Sequence, residues 1–437
     1  MPPEAALLRA NVSAPIAAIL VALRQAGVTR IAEGRPLAQE VRWRIGGPAD
    51  LLVEAESSTE VAACLRLARA HGVPVFILGD GSNMLMDSHG YRGLVLRIGR
   101  AMSALHIEGT RVICGGGLWV PRLALELARR GLTGLEHVAG IPGTIGGLVL
   151  MNGGSQRKGV GAHVRRVTVV TPEGDIRSLT QEEMAFSYRH SALQGRGCAI
   201  TEVELELEPG DPAAIRREMI DILASRRRKF PKNLPNCGST FLSNPAMYAV
   251  VGPPGKAIEE AGLKGIALGG AQVSPLHANF IVNRGGATSD EVLALIAHIR
   301  QTVHARTGYR MDCEARFVSA EDIHALAAIG FNRASFGVPF LKLGIIPGDG
   351  GSWLLPRNIG YARAAELLFT ARSIDAATAA EWGLVNRVVA HDSLMIEALA
   401  VAAQVAAQPP QALRMAKTLL RQGRDTTFDQ MLEMSAA

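Results

Sequence analysis

The sequence predicts an α+β protein in three parts: a glycine-rich α+β domain over residues 1–210, a smaller α+β domain over 211–318, and a mostly helical segment over 320–437. Three observations predict this. The apolar run VPVFIL (73–78) has the length of a buried strand and is broken at once by GDGSN (79–83). From about residue 211 the texture shifts to longer helical patterns joined by short strand-like runs. Near residue 320 it shifts again, and LGIIPGDGGSWLLPR (343–357) reads as part of a different fold.

The 437 residues are enough for two or three domains with sizeable cores. With 48% apolar and 20% charged residues the composition is that of an ordinary globular chain. The net charge of +6 suits an anionic ligand, yet the basic residues are dispersed and form no aromatic-interleaved stripe, so nucleic acid is not an expected partner. Five cysteines, at 64, 114, 198, 237 and 313, form no CxxC pair. That pattern predicts reduced thiols in a cytoplasmic protein and no metal site. The apolar run PIAAILVAL (15–23) is too short for a membrane span and lacks a signal-peptide cleavage site, so it reads as an amphipathic helix.

In order, residues 37–55 read as strand around the turn RIGGPAD (44–50), and Ser58 to His71 as a helix with Val61, Leu65 and Ala68 on one face. MLM, GLVLRI (93–98) and RVICGG (111–116) continue the β pattern. A helix from Pro121 to Arg130 stops at Gly131, a C-cap signal. RRVTVVTPEGDIRSL (165–179) reads as a hairpin around PEGD. Helices are expected over 213–228, 256–263 and 289–307, with strands between 272 and 283.

A nucleotide pyrophosphate needs several inward-pointing N–H groups at close approach, which glycine-rich turns allow. GDGSN has that form, with Ser82 and Asn83 adding side-chain donors, and GIPGTIGG (140–147) offers a second wall. Both also read as tight turns of a β-rich fold. Neither is GxGxxG opening a helix with an acidic residue at dinucleotide spacing, so a Rossmann site is disfavoured.

Taken together, RIGGPAD, LGDGSNMLM (78–86), GIPGTIGG with MNGG (151–154), SYRHS (187–191), CGSTF (237–241), GGAQVSPLHANFIVN (269–283) and CEARFV (313–318) resemble the UDP-N-acetylenolpyruvoylglucosamine reductase (MurB) family, in order across residues 20–318. The resemblance implies an FAD-binding domain of the PCMH, vanillyl-alcohol-oxidase-like type and a separate substrate-binding domain. It implies FAD held by Gly46, Gly47, Gly79, Gly81, Ser82, Asn83, Gly143, Thr144, Gly146 and Gly147, with NADPH as reductant. The implied substrate is UDP-N-acetylglucosamine enolpyruvate and the product UDP-N-acetylmuramate, a step of peptidoglycan precursor synthesis that serves cell-wall biogenesis, cell shape and cell division. An oxidase of the same flavin fold, or a fused chain with a non-catalytic interaction tail, are the alternatives.

Reducing an enol ether conjugated to a carboxylate needs a hydride donor at one carbon, an acid at its neighbour, and charge stabilisation between them. By resemblance, Arg189 and Glu314 polarise the carboxylate and Ser239 gives the proton. Read alone, Arg189 is an ion-pair partner, Ser239 a turn serine and Glu314 a strand-end carboxylate. Lys229 matches a substrate-binding lysine of the family, although Arg226, Arg227, Arg228 and Lys229 also suit a helix C-terminus. Cys237 reads as packing. The family's GSxFKNP pattern is here GSTFLSNP (238–245), one residue longer and without the lysine, with Asn244 retained as a substrate contact.

Residues 336–389 and PPQALRMAKTLL (409–420) resemble the second half of the enoyl-CoA hydratase/isomerase (crotonase) superfamily. That fold's two oxyanion-stabilising N–H groups lie on its earlier half, to which nothing in 1–318 corresponds. A glutamate common in hydratases falls at Phe340, and Asp349 matches an acid used by some isomerases. Without an oxyanion hole, the tail is expected to lack hydratase activity. Helices are expected over 361–370, 376–382 and 392–407.

Overall fold

The computed structural model describes residues 14–243, 245–319, 323–325, 336–337, 351–389, 401 and 404–422. Two compact units divide the chain, Met1–Ala328 and Ile329–Ala437. The expected domains 1–210 and 211–318 both lie within the first.

The first unit begins with a four-stranded sheet ordered Ile31–Pro36, Pro48–Glu54, Tyr91–Arg97, Val75–Leu78. The first pair is antiparallel and the other two are parallel. Leu94, Val95 and Leu96 are buried in succession because the sheet is covered on both faces. On one face, helices Ala14–Gln25 and Ser58–Ala70 bring Ile19, Leu23, Val61 and Leu65 against Leu51, Val53, Leu94 and Leu96. Ser57 caps the second helix by accepting from the Glu60 N–H. On the other face, Leu37, Val41, Phe76, Leu78 and Met86 pack with Val318 from the far end of the unit.

A five-stranded antiparallel sheet follows, ordered Ile176–Thr180, Val164–Val170, Ala199–Glu206, Arg111–Gly115, Leu105–Glu108. Its core gathers Leu123 and Leu127 of helix Val120–Arg129, Ile145 and Val149 of helix Ile145–Leu150, and Ile215 and Met219 of helix Pro212–Lys229. Within the segment that reads from sequence as a glycine-punctuated wall, the short helix Ile145–Leu150 starts directly after Thr144, whose hydroxyl caps it.

The later part of the unit has the small sheet Ala267–Leu268, Ala271–Val273, Ile281–Asn283 backed by helix Ser289–Thr307. A capping box of Thr288 and Glu291 opens that helix and Gly308, at φ 72°, closes it. This sheet is tied to the first domain through two buried bonds. Trp43 Nε1 donates to the Ile281 carbonyl at 3.0 Å, and Asn283 Nδ2 donates to the Trp43 carbonyl at 3.0 Å. Strand Arg316–Val318 then runs parallel to Met84–Met86, and Ile323–Ala325 pairs with its other edge. The first unit thus extends past residue 318.

In the second unit, helices Gly351–Ile359, Tyr361–Thr370, Ala376–Glu381 and Pro410–Gln422 are described, so the mostly helical expectation holds there. Phe336–Gly337 pairs with Ser373–Ile374, and Ile359, Ala364, Leu367, Ile374 and Ala379 make a small core. Tyr361 and Phe369 stay exposed. Phe340, Asp349 and most of 392–407 lie outside the described residues.

Candidate active site

Two glycine loops face each other at the end of strand Val75–Leu78. A Cβ on Gly79 would sit 2.5 Å from Thr144 Oγ1, and one on Gly143, at φ 146°, would sit 3.2 Å from Ser82 Oγ. The walls touch only because these positions lack side chains. Not every glycine amide is free for a ligand. Gly146 N–H donates to the Gly116 carbonyl at 2.8 Å, Gly47 N–H to Asp87 at 2.9 Å, and Gly147 N–H to Thr144 Oγ1 at 3.4 Å. Gly46 is packed against Met86, with a Cβ position 2.7 Å from that residue's Cβ. Gly46, Gly47 and Gly146 serve close packing of the backbone, whereas a Cβ on Gly147 would meet only Thr144 Oγ1 at 3.5 Å. Among the described residues, the Gly81 amide and the Ser82 hydroxyl make no hydrogen bond. Arg42 forms an ion pair with Asp80 beside the loop.

Arg189 stands on a reverse turn closed by mutual Ser187–His190 backbone bonds of 3.1 Å each. Its φ is 55°, a left-handed conformation costing a non-glycine residue roughly 1–2 kcal/mol. The side chain is fixed on three sides. One terminal nitrogen donates to the Gly154 carbonyl at 2.9 Å, Nε lies 3.0 Å from Glu314 Oε1, and the guanidinium carbon is 5.4 Å from the centre of the Tyr188 ring. Nε makes no aligned hydrogen bond, so the Arg189–Glu314 attraction is one of charge.

Glu314 is held by its own backbone between two loops. Its N–H donates to the Thr240 carbonyl at 2.9 Å, and its carbonyl accepts from Asn83 Nδ2 at 3.0 Å. It therefore touches the GDGSN loop and the chain next to Ser239 together. Burial pushes the Glu314 carboxyl above the usual carboxylate range, and the Arg189 charge opposes that shift without cancelling it.

Ser239 follows Gly238, whose φ of 86° and N–H bond to Asn236 Oδ1 at 2.9 Å shape the turn. Asn279 clamps the residues after it, with its carbonyl accepting from Thr240 N–H at 2.8 Å and its Oδ1 from Phe241 N–H at 2.9 Å. The half-buried Ser239 hydroxyl has no hydrogen-bond partner among the described residues. Cys237 is buried and its thiol is pushed far up by burial, so it is packing.

The structure thus brings Arg189, Glu314, Asn83 and the Ser239 turn into one neighbourhood. Lys229 does not join them by any hydrogen bond or ion pair; it lies exposed at the end of its helix, with its charge felt by His277. Arg226 is instead turned inward, 4.8 Å from the Phe230 ring centre and packed on Gly140. Asn244 lies outside the described residues. Sequence reasoning missed Asn279, although it lies within the 269–283 motif, and it missed Gln194 and His137, which carry no motif signal because their roles come from contacts made on folding. Among the described residues no cluster of three or more metal-ligating side chains occurs, and no helix is long and apolar enough to cross a membrane.

Comparison with known proteins gives this geometry a family. An FAD-binding-domain family model matches residues 49–180, and one for the UDP-N-acetylenolpyruvoylglucosamine reductase C-terminal domain matches residues 230–318. UDP-N-acetylenolpyruvoylglucosamine reductase 1 of Corynebacterium glutamicum is 49% identical over 298 residues, covering 68% of this chain and 89% of that relative. The chain belongs to the UDP-N-acetylenolpyruvoylglucosamine reductase family. The family's enzyme from Heliobacterium modesticaldum is 44% identical over 65% of this chain and 89% of its own. The crystal structure of the Thermus caldophilus reductase aligns with a TM-score of 0.56 and 31% identity, covering 66% of this chain and 98% of that one.

The first unit is therefore an FAD-dependent oxidoreductase of this family, with a PCMH-type FAD-binding domain and a smaller α+β domain. The facing loops of Gly79 and Gly143 fit the phosphates of FAD, since their close contact leaves the Gly81 amide and the Ser82 hydroxyl without a hydrogen-bond partner among the described residues. An enoyl-CoA hydratase/isomerase family model matches residues 290–437, overlapping the reductase match over 290–318. In the structure that shared stretch, helix Ser289–Thr307 and strand Arg316–Val318, belongs to the first unit.

Proposed function

We propose that this chain reduces UDP-N-acetylglucosamine enolpyruvate to UDP-N-acetylmuramate, with Arg189, Glu314 and Ser239 as the catalytic residues. The observation that carries the reading is the meeting of Arg189 with Glu314, whose backbone also binds the GDGSN loop and the Ser239 turn. Gly79, Gly81, Ser82, Gly143 and Thr144 hold FAD, with Gly46, Gly47 and Gly146 keeping the backbone close and Gly147 completing the cap of the helix that starts after Thr144. When bound, FAD supplies the hydride that it has received from NADPH.

The chain's own residues do the rest. The Arg189 guanidinium faces the substrate carboxylate and favours negative charge spreading into it. Glu314, whose carboxyl is raised by burial, stands beside Arg189 and with it polarises the substrate carboxylate. Ser239, whose hydroxyl is not committed elsewhere, delivers its proton to the carbon beside the carboxylate and regains one from solvent. Lys229 and Asn244 bind substrate.

The product serves peptidoglycan precursor synthesis, and with it the wall, cell shape and division. Five free cysteines and the lack, among the described residues, of a membrane-length helix support a cytoplasmic location. The test is NADPH consumption by the purified, flavin-loaded chain. Oxidation that depends on the enolpyruvyl nucleotide is expected, and oxidation that proceeds equally without it would overturn the reading.

A further inference from the structure

Gln194 lies outside every motif discussed above, yet its side chain makes four contacts beside the site. Nε2 donates to the Arg189 carbonyl at 2.9 Å and the Leu150 carbonyl at 3.1 Å, and lies 3.6 Å from Met151 Sδ. Oε1 accepts from an Arg316 terminal nitrogen at 3.1 Å. The amide can stand only this way round, because carbonyls accept and a guanidinium donates. Three segments are thereby joined through one planar group: the end of helix Ile145–Leu150, the turn bearing Arg189, and the strand that follows Glu314.

Each contact bears on Arg189. Its backbone is in a left-handed conformation, which persists only where the surroundings over-determine it. Ser191 Oγ donates to the same Leu150 carbonyl at 2.7 Å, fixing the far side of the turn. Among the described residues, Gln194 links the turn to Arg316, whose N–H in turn donates to the Asn83 carbonyl at 3.1 Å. This hydrogen-bonded link runs beside the direct Arg189–Glu314 ion pair.

We infer that Gln194 is a positioning residue, which sets where the Arg189 guanidinium stands relative to Glu314 and the GDGSN loop. The inference rests on the reading that Arg189 acts on the substrate carboxylate. A misplacement of about 1 Å in such a group costs turnover ~10²-fold.

The experiment is a double-variant cycle in the full flavin-loaded chain, reading turnover of the enolpyruvyl nucleotide alongside flavin reduction by NADPH alone. Gln194→Met should lower turnover about 10–10²-fold with wild-type Arg189, while flavin reduction changes by less than about twofold. In an Arg189→Lys background the same replacement should cost less than about threefold, because the group it positions is already gone. Gln194→Glu keeps length and the Arg316 partner but cannot donate to either carbonyl, so it should match Gln194→Met. It also serves if the Met variant fails to hold flavin. Equal loss in both backgrounds, or no loss in either, would overturn the inference while leaving the assigned reaction standing. Absence of turnover in the parent chain would overturn both.

Discussion

Arg189 and Glu314 meet at 3.0 Å although one rides on a strained turn and the other follows the short bridge between Cys313 and Phe241. Each side chain is about a fifth exposed, so the pair is sheltered without being sealed from a ligand. Burial raises the Glu314 carboxyl, and the Arg189 charge opposes that shift.

Ser239 should carry the proton and nothing structural, since its hydroxyl has no bond to break among the described residues. Ser239→Ala is expected to lower turnover ~10²–10⁴-fold while flavin reduction by NADPH survives. Stopped-flow measurement of the two half-reactions checks this, and a variant as active as the parent would remove Ser239 from the mechanism.

The glycine wall makes a prediction that can be reversed. Gly79→Ala places a methyl group 2.5 Å from Thr144 Oγ1, so bound flavin should fall. Adding Thr144→Ala removes that oxygen, so the double variant should hold more flavin than Gly79→Ala alone but less than the parent, because the Thr144 hydroxyl and about 1 kcal/mol of helix capping are lost. Flavin absorbance per chain after gel filtration reads both changes. No recovery in the double variant would show that the clash is not with Thr144.

His137 predicts an acid-sensitive step in stability. It is buried, accepts a 3.4 Å bond from the Ser155 N–H, and its imidazole is pushed down to about 4, first by burial and then by the Lys158 and His163 charges. Because the folded value lies below the ordinary one, the native state binds fewer protons. The contribution is present above about pH 6.5 and is lost as pH falls toward 4. Urea unfolding at pH 7 and pH 4.5 should show the parent losing about 2 kcal/mol more than His137→Gln between those values. Equal losses would place the acid-labile group elsewhere.

The position of a truncation should matter more than its size. Strand Arg316–Val318 lies between Met84–Met86 and Ile323–Ala325. Cutting after Ala328 leaves both neighbours and should preserve turnover. A cut after Ser319 bares the strand edge next to Glu314 and should lower both thermal stability and turnover. Loss of activity on cutting after Ala328 would show that the second unit is needed by the reductase.

Much of the fold was legible because its signals are local. Helix Ser289–Thr307 has its capping box and its closing glycine within the segment itself, and its bounds match the pattern in the sequence. The hairpin of Val164–Val170 and Ile176–Thr180 is likewise marked by its own turn. The helix Ile145–Leu150 was not legible, since its glycines argue against a helix and only packing of Ile145 and Val149 on the antiparallel sheet selects it. Lys229 shows the same limit at the site. Its motif position says nothing of where a long side chain points, and the inward-facing cation at that helix end is Arg226.

The sequence by itself determined which chemical groups exist and in what local frames: the glycine turns, the Tyr188–Arg189 pair, the serine after Gly238, and the change of texture near residue 320. Those follow from backbone sterics and neighbouring side chains, which act over a few residues. Only the tertiary structure decided that Arg189 meets Glu314, that Gln194 joins three segments, that several glycine amides are already committed to carbonyls, and that His137 is held neutral. These depend on desolvation and on contacts between residues far apart in the chain, which no local pattern encodes.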